Sequence, residues 1–234
     1  MGSDDFYHLK KRSQLKRNAK KTKEYKNSIL IVCEGEQTEK NYFESFPVPN
    51  IIVATIGTGM NTESLVDEAI EKWIDFSKEN KFYEKLWCVF DRDSFCQKSY
   101  DGAFKKVIYE EKKLNRKYKR RVGRKINISI AYSNEAFELW YLLHFDYIDS
   151  SLSRSEYKRM LTERMKKKYK KNDPSIYQFF ENLSKTTDGQ KGQLFAINNA
   201  KKLRDNIPNG LKHNYNPSTK VDLLVEELNT YLKL

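Results

Sequence analysis

Short apolar runs recur along the first half of this chain, and each is followed by residues spaced for a helix. Ile29-Leu30-Ile31-Val32, Ile51 to Ile56 and Leu86-Trp87-Cys88-Val89-Phe90 are continuous enough to predict strands buried on both faces. Ile126, Ile128 and Ile130 alternate with smaller or polar residues and predict a fourth strand. Between the first two runs, Thr38, Tyr42, Phe43 and Phe46 mark a helix that must stop before Pro47 and Pro49. A second helix opens at Asn61 or Thr62, either a good N-cap, and puts Leu65, Val66, Ala69, Trp73 and Phe76 on one face. A third is expected from about Asp101 to Leu114. Strands alternating with helices in this way predict an α/β fold, a mostly parallel sheet flanked by helices.

Beyond the fourth strand the pattern turns helical. Glu135 to Phe145 is apolar nearly all round, which predicts a buried helix. Ser153 and Glu156 have the spacing of a capping box, opening a long basic helix that is expected to reach about Lys171. Pro174 to Leu183 and Gln193 to Arg204 are further helices, and Pro217-Ser218 is expected to start the last one, with Val221, Leu224, Val225, Leu228 and Leu232 as its apolar stripe. The division expected is a basic arm over 1–27, an α/β core over 28–145, and a helical region over 146–234 packed on that core.

At 234 residues, with 38% hydrophobic and 13% aromatic residues, the chain supports one substantial core. No apolar run approaches a membrane span and no secretory stretch opens the sequence, so a cytoplasmic protein is expected. Cys33, Cys88 and Cys96 are odd in number and lack C-x-x-C spacing, against both a disulfide framework and structural zinc. The formal net charge of +12 gathers in three stretches, Lys10 to Lys26, Lys112 to Lys125 and Lys158 to Lys171. Lys119-Arg120-Arg121 and Lys166-Lys167-Lys168 within them are candidate phosphate contacts for DNA or RNA. Solvated helix faces are the plainer account of the same lysines. Tyr109, Tyr118, Tyr157 and Tyr169 either stack on unpaired bases or pack on the core, the second being the commoner use of such spacing.

Two acidic clusters change the picture more than composition does. Cys33-Glu34-Gly35-Glu36-Gln37-Thr38-Glu39 follows the first strand, and Phe90-Asp91-Arg92-Asp93-Ser94 ends the third. If those strands are parallel neighbours, both clusters leave the same carboxyl edge, where open α/β sheets hold ligands. Crowded carboxylates either take up protons or bind a cation, and a hard divalent ion, Mg²⁺ or Mn²⁺, is the simplest occupant. Carboxylates from several segments suit metal-assisted phosphoryl chemistry. Turn or helix-end carboxylates are the bland alternative, most naturally for Glu36 and Glu39 in a first helical turn. Glu138, an acid on an otherwise apolar helix, needs a partner. His144 reads as a core histidine, and Ser94 and Ser133 lack the setting of a serine nucleophile. Gly57-Thr58-Gly59 reads as a turn rather than a nucleotide loop.

A strand ending in Glu-Gly followed by one ending in Asp-x-Asp resembles the Toprim fold of primases, topoisomerases and overcoming-lysogenisation-defect nucleases. More specifically, Ile-Val-Cys-Glu-Gly-Glu-Gln-Thr-Glu-Lys-Asn-Tyr-Phe, Phe-Asp-Arg-Asp-Ser-Phe, Ser-Asn-Glu-Ala-Phe-Glu-Leu-Trp-Tyr-Leu-Leu-His-Phe and Asn-Pro-Ser-Thr-Lys-Val resemble the RloB-like family, from about residue 28 onward. The resemblance implies a Toprim-like core encoded near restriction or abortive-infection systems, often beside an AAA/ABC-type ATPase. It further implies a Mg²⁺- or Mn²⁺-dependent nuclease in prokaryotic anti-phage defence. By position it makes Glu34, Asp91 and Asp93 metal-binding and catalytic. Glu39 and Glu138 complete the metal site, and Lys171 stabilises charge on a phosphoryl oxygen. Glu39 stands about one residue further from Glu34 than the corresponding acids in the overcoming-lysogenisation-defect pattern, and Glu135 stands where relatives often carry proline.

A catalytically silent subunit that binds nucleic acid or a partner protein is the rival of a different class, and a phosphoacceptor receiver-like domain is a third. Substrate class, the number of metals and a homo-oligomeric state stay open at this level.

Overall fold

The computed structural model describes residues 29–49, 51–55, 62–92, 97–123, 125–208 and 215–232, and no side chain of 97–99 or 120–122. The basic arm, the Gly57-Thr58-Gly59 turn, Cys96 and Asp93 lie outside the described residues. Strands β1 (Ile29–Cys33), β2 (Ile51–Thr55), β3 (Lys85–Asp91), β4 (Asn127–Asn134) and β5 (Ser218–Thr219) form one sheet in the order β2-β1-β3-β4-β5. The first four are parallel, and β5 runs antiparallel to β4. The helices are α1 (Thr38–Glu44), α2 (Thr62–Lys78), α3 (Gln97–Val122), α4 (Glu138–Leu143), α5 (Arg154–Met165), α6 (Ile176–Thr186), α7 (Gln193–Asp205) and α8 (Val221–Leu232).

The continuous apolar strands do what their composition requires, burying both faces. Leu30, Val32, Leu86, Cys88, Phe90, Ile128 and Ile130 pack against α2 and α3 through Leu65, Trp73, Tyr100 and Tyr118. Ile29, Ile31, Cys33, Trp87, Val89 and Ala131 face the other way, onto α1, α4 and the C-terminal helices. On that side Tyr42 of α1 meets Phe137, Trp140, Tyr141 and Tyr177 in largely edge-on contacts, with centroids 5.7–6.4 Å apart. No helix among the described residues is long and apolar enough to cross a membrane.

Three elements depart from the sequence reading. The helix opened by Ser153 has its capping box, but it ends at Met165 rather than near Lys171, because Lys166 turns into the left-handed conformation at φ 54°. Residues 166–171 therefore leave the helix axis, exposed except for Tyr169, which is buried in the core. Ser218 and Thr219 do not start the last helix; they pair with Asn134 and Ser133 as β5, and α8 begins at Val221. The third helix runs well past Leu114, to Val122.

The β5 junction is held by a buried ion pair. Arg204 of α7 grips both carboxylate oxygens of Asp222 and donates a 2.9 Å hydrogen bond to the Thr219 carbonyl. Asp222 is fully buried, so removing its partner strands a charge or forces a proton onto it. Arg204→Ala is expected to cost about 3–5 kcal/mol, read as a lowered midpoint in urea unfolding.

Candidate metal and phosphate site

Strand order fixes the site. The chain turns one way from β1 to β2 and the other way to β3, so β1 and β3 flank the switch point where their carboxyl ends leave a crevice. Their register pairs Cys33 with Val89, and the Glu34 amide donates to the Val89 carbonyl at 2.9 Å. Glu34 and Asp91 thus emerge side by side. Glu39 reaches in from α1, and Glu138 from the first turn of α4, where it is 3% exposed. A cavity of about 310 Å³ is lined by Glu34, Gly35, Glu36, Gln37, Thr38, Glu39, Asp91, Phe137, Glu138, Arg154 and Lys171.

Of the acids expected from the sequence, Glu34, Glu39, Asp91 and Glu138 are brought together here, and Lys171 joins them. Glu36 lies on the exposed rim. Lys171 Nζ stands 3.8 Å from Glu138 Oε1, and the Tyr169 hydroxyl donates to the same oxygen at 3.3 Å. The buried acid on the apolar helix has its partners, and they come from the segment that follows α5. Gly35 lets Glu39 fold inward, since a Cβ there would fall 2.0 Å from Glu39 Oε2. Tyr141 ties α4 to the start of α1 by donating to the Thr38 carbonyl at 3.1 Å.

Arg154, unremarked in the sequence, is the addition. It follows the capping Ser153 at the start of α5, and its Nη2 lies 3.4 Å from Asp91 Oδ2. Nothing in its local sequence separates it from other surface arginines; only the placement of α5 over the switch point does. With Glu36 at the rim set aside, four carboxylates share the cavity with two cations, leaving a deficit of two positive charges when every acid is ionised. Two buried oxygens, Glu34 Oε2 and Asp91 Oδ1, have no hydrogen-bond partner among the described residues. Unpartnered carboxylate oxygens and a charge deficit are what a hard divalent cation would satisfy. Among the described residues, no three His, Cys, Asp or Glu side chains already stand at ion-holding spacing.

Electrostatics follow from the crowding. Burial, then repulsion from Glu39, pushes the Glu34 carboxyl up to about 7, against lowering by an Asp91 backbone hydrogen bond and by Arg154. Burial and then the neighbouring carboxylates raise Asp91 well above the usual carboxylate range, with Arg154 opposing. Burial also raises Glu39, as does Glu138, against its own backbone amide, Lys171 and Arg154.

Other candidates separate from this site. Lys119 is exposed near the far end of α3, toward the start of β4 and so at the opposite edge of the sheet; Arg120 and Arg121 belong to the same helix end. Lys166, Lys167 and Lys168 are exposed on the segment leading to Lys171, and Lys167 pairs with Asp173 at 3.0 Å. Tyr118, Tyr157 and Tyr169 are buried, whereas Tyr109 is 65% exposed. His144 is fully buried with Nδ1 2.9 Å from the Trp140 carbonyl, and burial lowers it to about 3, so it stays neutral. Cys33 and Cys88 are free and buried.

The raised acid values predict the sign of a pH effect. Glu34 moves from an ordinary 4.5 to about 7, so the folded protein holds a proton that the unfolded chain releases between those values. The stabilisation from that proton is complete below the unfolded value and is lost as pH rises through the folded one. In EDTA, the urea midpoint is expected to fall from about pH 5 to about pH 8, and to fall less in Glu34→Gln.

No curated protein and no solved structure matches the chain. The family model described as RloB-like protein matches residues 29–228, most of its length. The family resemblance read from the acid clusters and the C-terminal motif is thus upheld, and the chain belongs to the RloB-like family.

Proposed function

We propose that this protein is a divalent-metal-dependent nuclease that hydrolyses phosphodiester bonds in DNA or RNA. One observation carries the reading: Glu34, Glu39, Asp91 and Glu138 converge at the switch point of a parallel sheet, with oxygens on Glu34 and Asp91 that have no partner among the described residues. Glu34, Asp91, Glu39 and Glu138, with Asp93 two residues beyond Asp91 in sequence, would hold Mg²⁺ or Mn²⁺. When bound, such an ion polarises the phosphoryl oxygen and makes water a better nucleophile at neutral pH.

The chain's own residues supply the rest. Glu34, raised to about 7 in the ion-free site, can take a proton from an attacking water or return one to a leaving oxygen where it is not itself a ligand; as a ligand it would be held ionised. Arg154 and Lys171 stand opposite the acids and suit the equatorial oxygens of a scissile phosphate, Arg154 by a two-pronged contact and Lys171 as a point charge. Tyr169 and Lys171 hold the Glu138 carboxylate at the cavity wall. Anti-phage defence and control by an AAA/ABC-type ATPase come with the family resemblance, and no residue in the cavity argues for either by itself.

End-labelled DNA and RNA panels incubated in Mg²⁺, Mn²⁺ or EDTA provide the test. Metal-dependent cutting is expected, with Asp91→Asn reducing it at least about a hundredfold, the scale of losing one preorganised charge contact. Far-UV circular dichroism of that variant is expected to be unchanged, because the substitution removes a charge the fold must otherwise contain. Full activity in Asp91→Asn overturns the assignment. Salt-sensitive binding without cutting, indifferent to Asp91, would instead mark a catalytically silent binding subunit.

A further inference from the structure

The motif Asn216-Pro217-Ser218-Thr219-Lys220-Val221 is not absorbed by the acid site, although β5 brings it to the same edge of the sheet. Ser218 and Thr219 are used by the fold. Ser218 Oγ donates to the Tyr215 carbonyl at 2.6 Å, and Thr219 Oγ1 donates to the Tyr132 carbonyl at 2.9 Å. Lys220 is different. Its amide continues the pairing with Tyr132, but its ammonium makes no ion pair among the described residues. It stands 5.8 Å from the ring centroid of Phe104 and 5.9 Å from that of Tyr132.

The register places this cation. Asp91 pairs with Ser133 and Ser133 with Thr219, and the Lys220 amide bonds to the Tyr132 carbonyl, so Lys220 lies two strands from Asp91 and one residue back from the carboxyl edge, over the face of the sheet that packs on α2 and α3. Two strand spacings amount to roughly 10 Å. Arg92 lies between, its guanidinium 5.6 Å from the Tyr100 ring, and Tyr100 packs edge-on against Tyr132 at 5.9 Å. Rings at the end of β4 and the start of α3 thus carry two cations past the acids, on the side away from Arg154 and Lys171. Packing alone does not require the charge, since an apolar side chain would cover Phe104 and Tyr132 equally well. Burial, and then the Arg204 guanidinium, lower the proton affinity of Lys220 and outweigh the opposing charge of Asp222, so an arriving anion would relieve a remaining cost.

We infer that Lys220 contacts a backbone phosphate of the nucleic acid strand neighbouring the one at the acid cluster, so that the strand crosses the sheet edge from Lys171 and Arg154 toward Arg92 and Lys220. This inference rests on the nuclease reading. A phosphate contact is sequence-independent and electrostatic, and it has a signature in salt dependence that a packing role lacks.

The experiment measures binding of labelled DNA and RNA by fluorescence anisotropy across a salt series, in the full-length Asp91→Asn protein with Mg²⁺. Adding Lys220→Met is expected to weaken binding about three- to tenfold and to lower the slope of log affinity against log salt by about 0.7–0.9, the value of one lost phosphate contact. Lys220→Arg is expected to restore both. Urea midpoints of Lys220→Met and Lys220→Gln identify which neutral variant is folded for the comparison. An unchanged affinity and slope in a folded neutral variant overturns the role of Lys220 and leaves the nuclease reading standing. Failure of the Asp91→Asn parent to bind either nucleic acid overturns both.

Discussion

Like charges confined to one partly enclosed space raise each other's proton affinity, and burial adds to the effect. Glu34, Glu39, Asp91 and Glu138 are in that position, and much of the surrounding structure acts to contain them. Arg154 faces Asp91, while Lys171 and the Tyr169 hydroxyl face Glu138. These groups come from α5 and the segment after it, outside the parallel sheet that presents Glu34 and Asp91. The early termination of α5 at Lys166 is what lets one short stretch supply both a cation at the helix start and another at the far rim. A straight helix to residue 171 would have carried Lys171 away from the cavity.

The containing frame is rigid for reasons of packing. Glu39 sits one helical turn from Tyr42 and Phe43, both fully buried, and Glu138 opens a helix whose side chains are all buried. Neither acid can retreat to solvent without disturbing the aromatic contacts around Tyr42. A glycine at position 35 leaves the room that the inward carboxylate of Glu39 needs. Side chains so held meet a ligand with little reorganisation, the condition under which electrostatic contacts are most effective.

The parallel strands are legible in the sequence because burial on both faces demands unbroken apolar runs, as in β1 and β3. The acids at their ends are legible because a strand end followed by carboxylates is uncommon, and Glu138 stands out as a charge in an apolar helix. β5 is not legible: two residues have no periodicity, and Ser-Thr after proline is an ordinary way to begin a helix. The end of α5 is hidden because a run of lysines continues across it, and the left-handed turn falls on Lys166 instead of a glycine. Arg154 is invisible for another reason. Its place in the site lies in what it faces across a long sequence separation, 63 residues from Asp91, and a single sequence does not encode such neighbours locally.

The pairing of β1 with β3 has a consequence for how the molecule comes into being. Glu34 and Asp91 lie in different βα units and meet only when the two strands align in register, through a crossover that must first be folded. A slip of one residue would turn the side chains of one strand to the wrong face and separate the acids. The cluster is thus a property of the completed sheet: until β1 and β3 pair, Glu34 and Asp91 are ordinary, separated carboxylates with unshifted proton affinities.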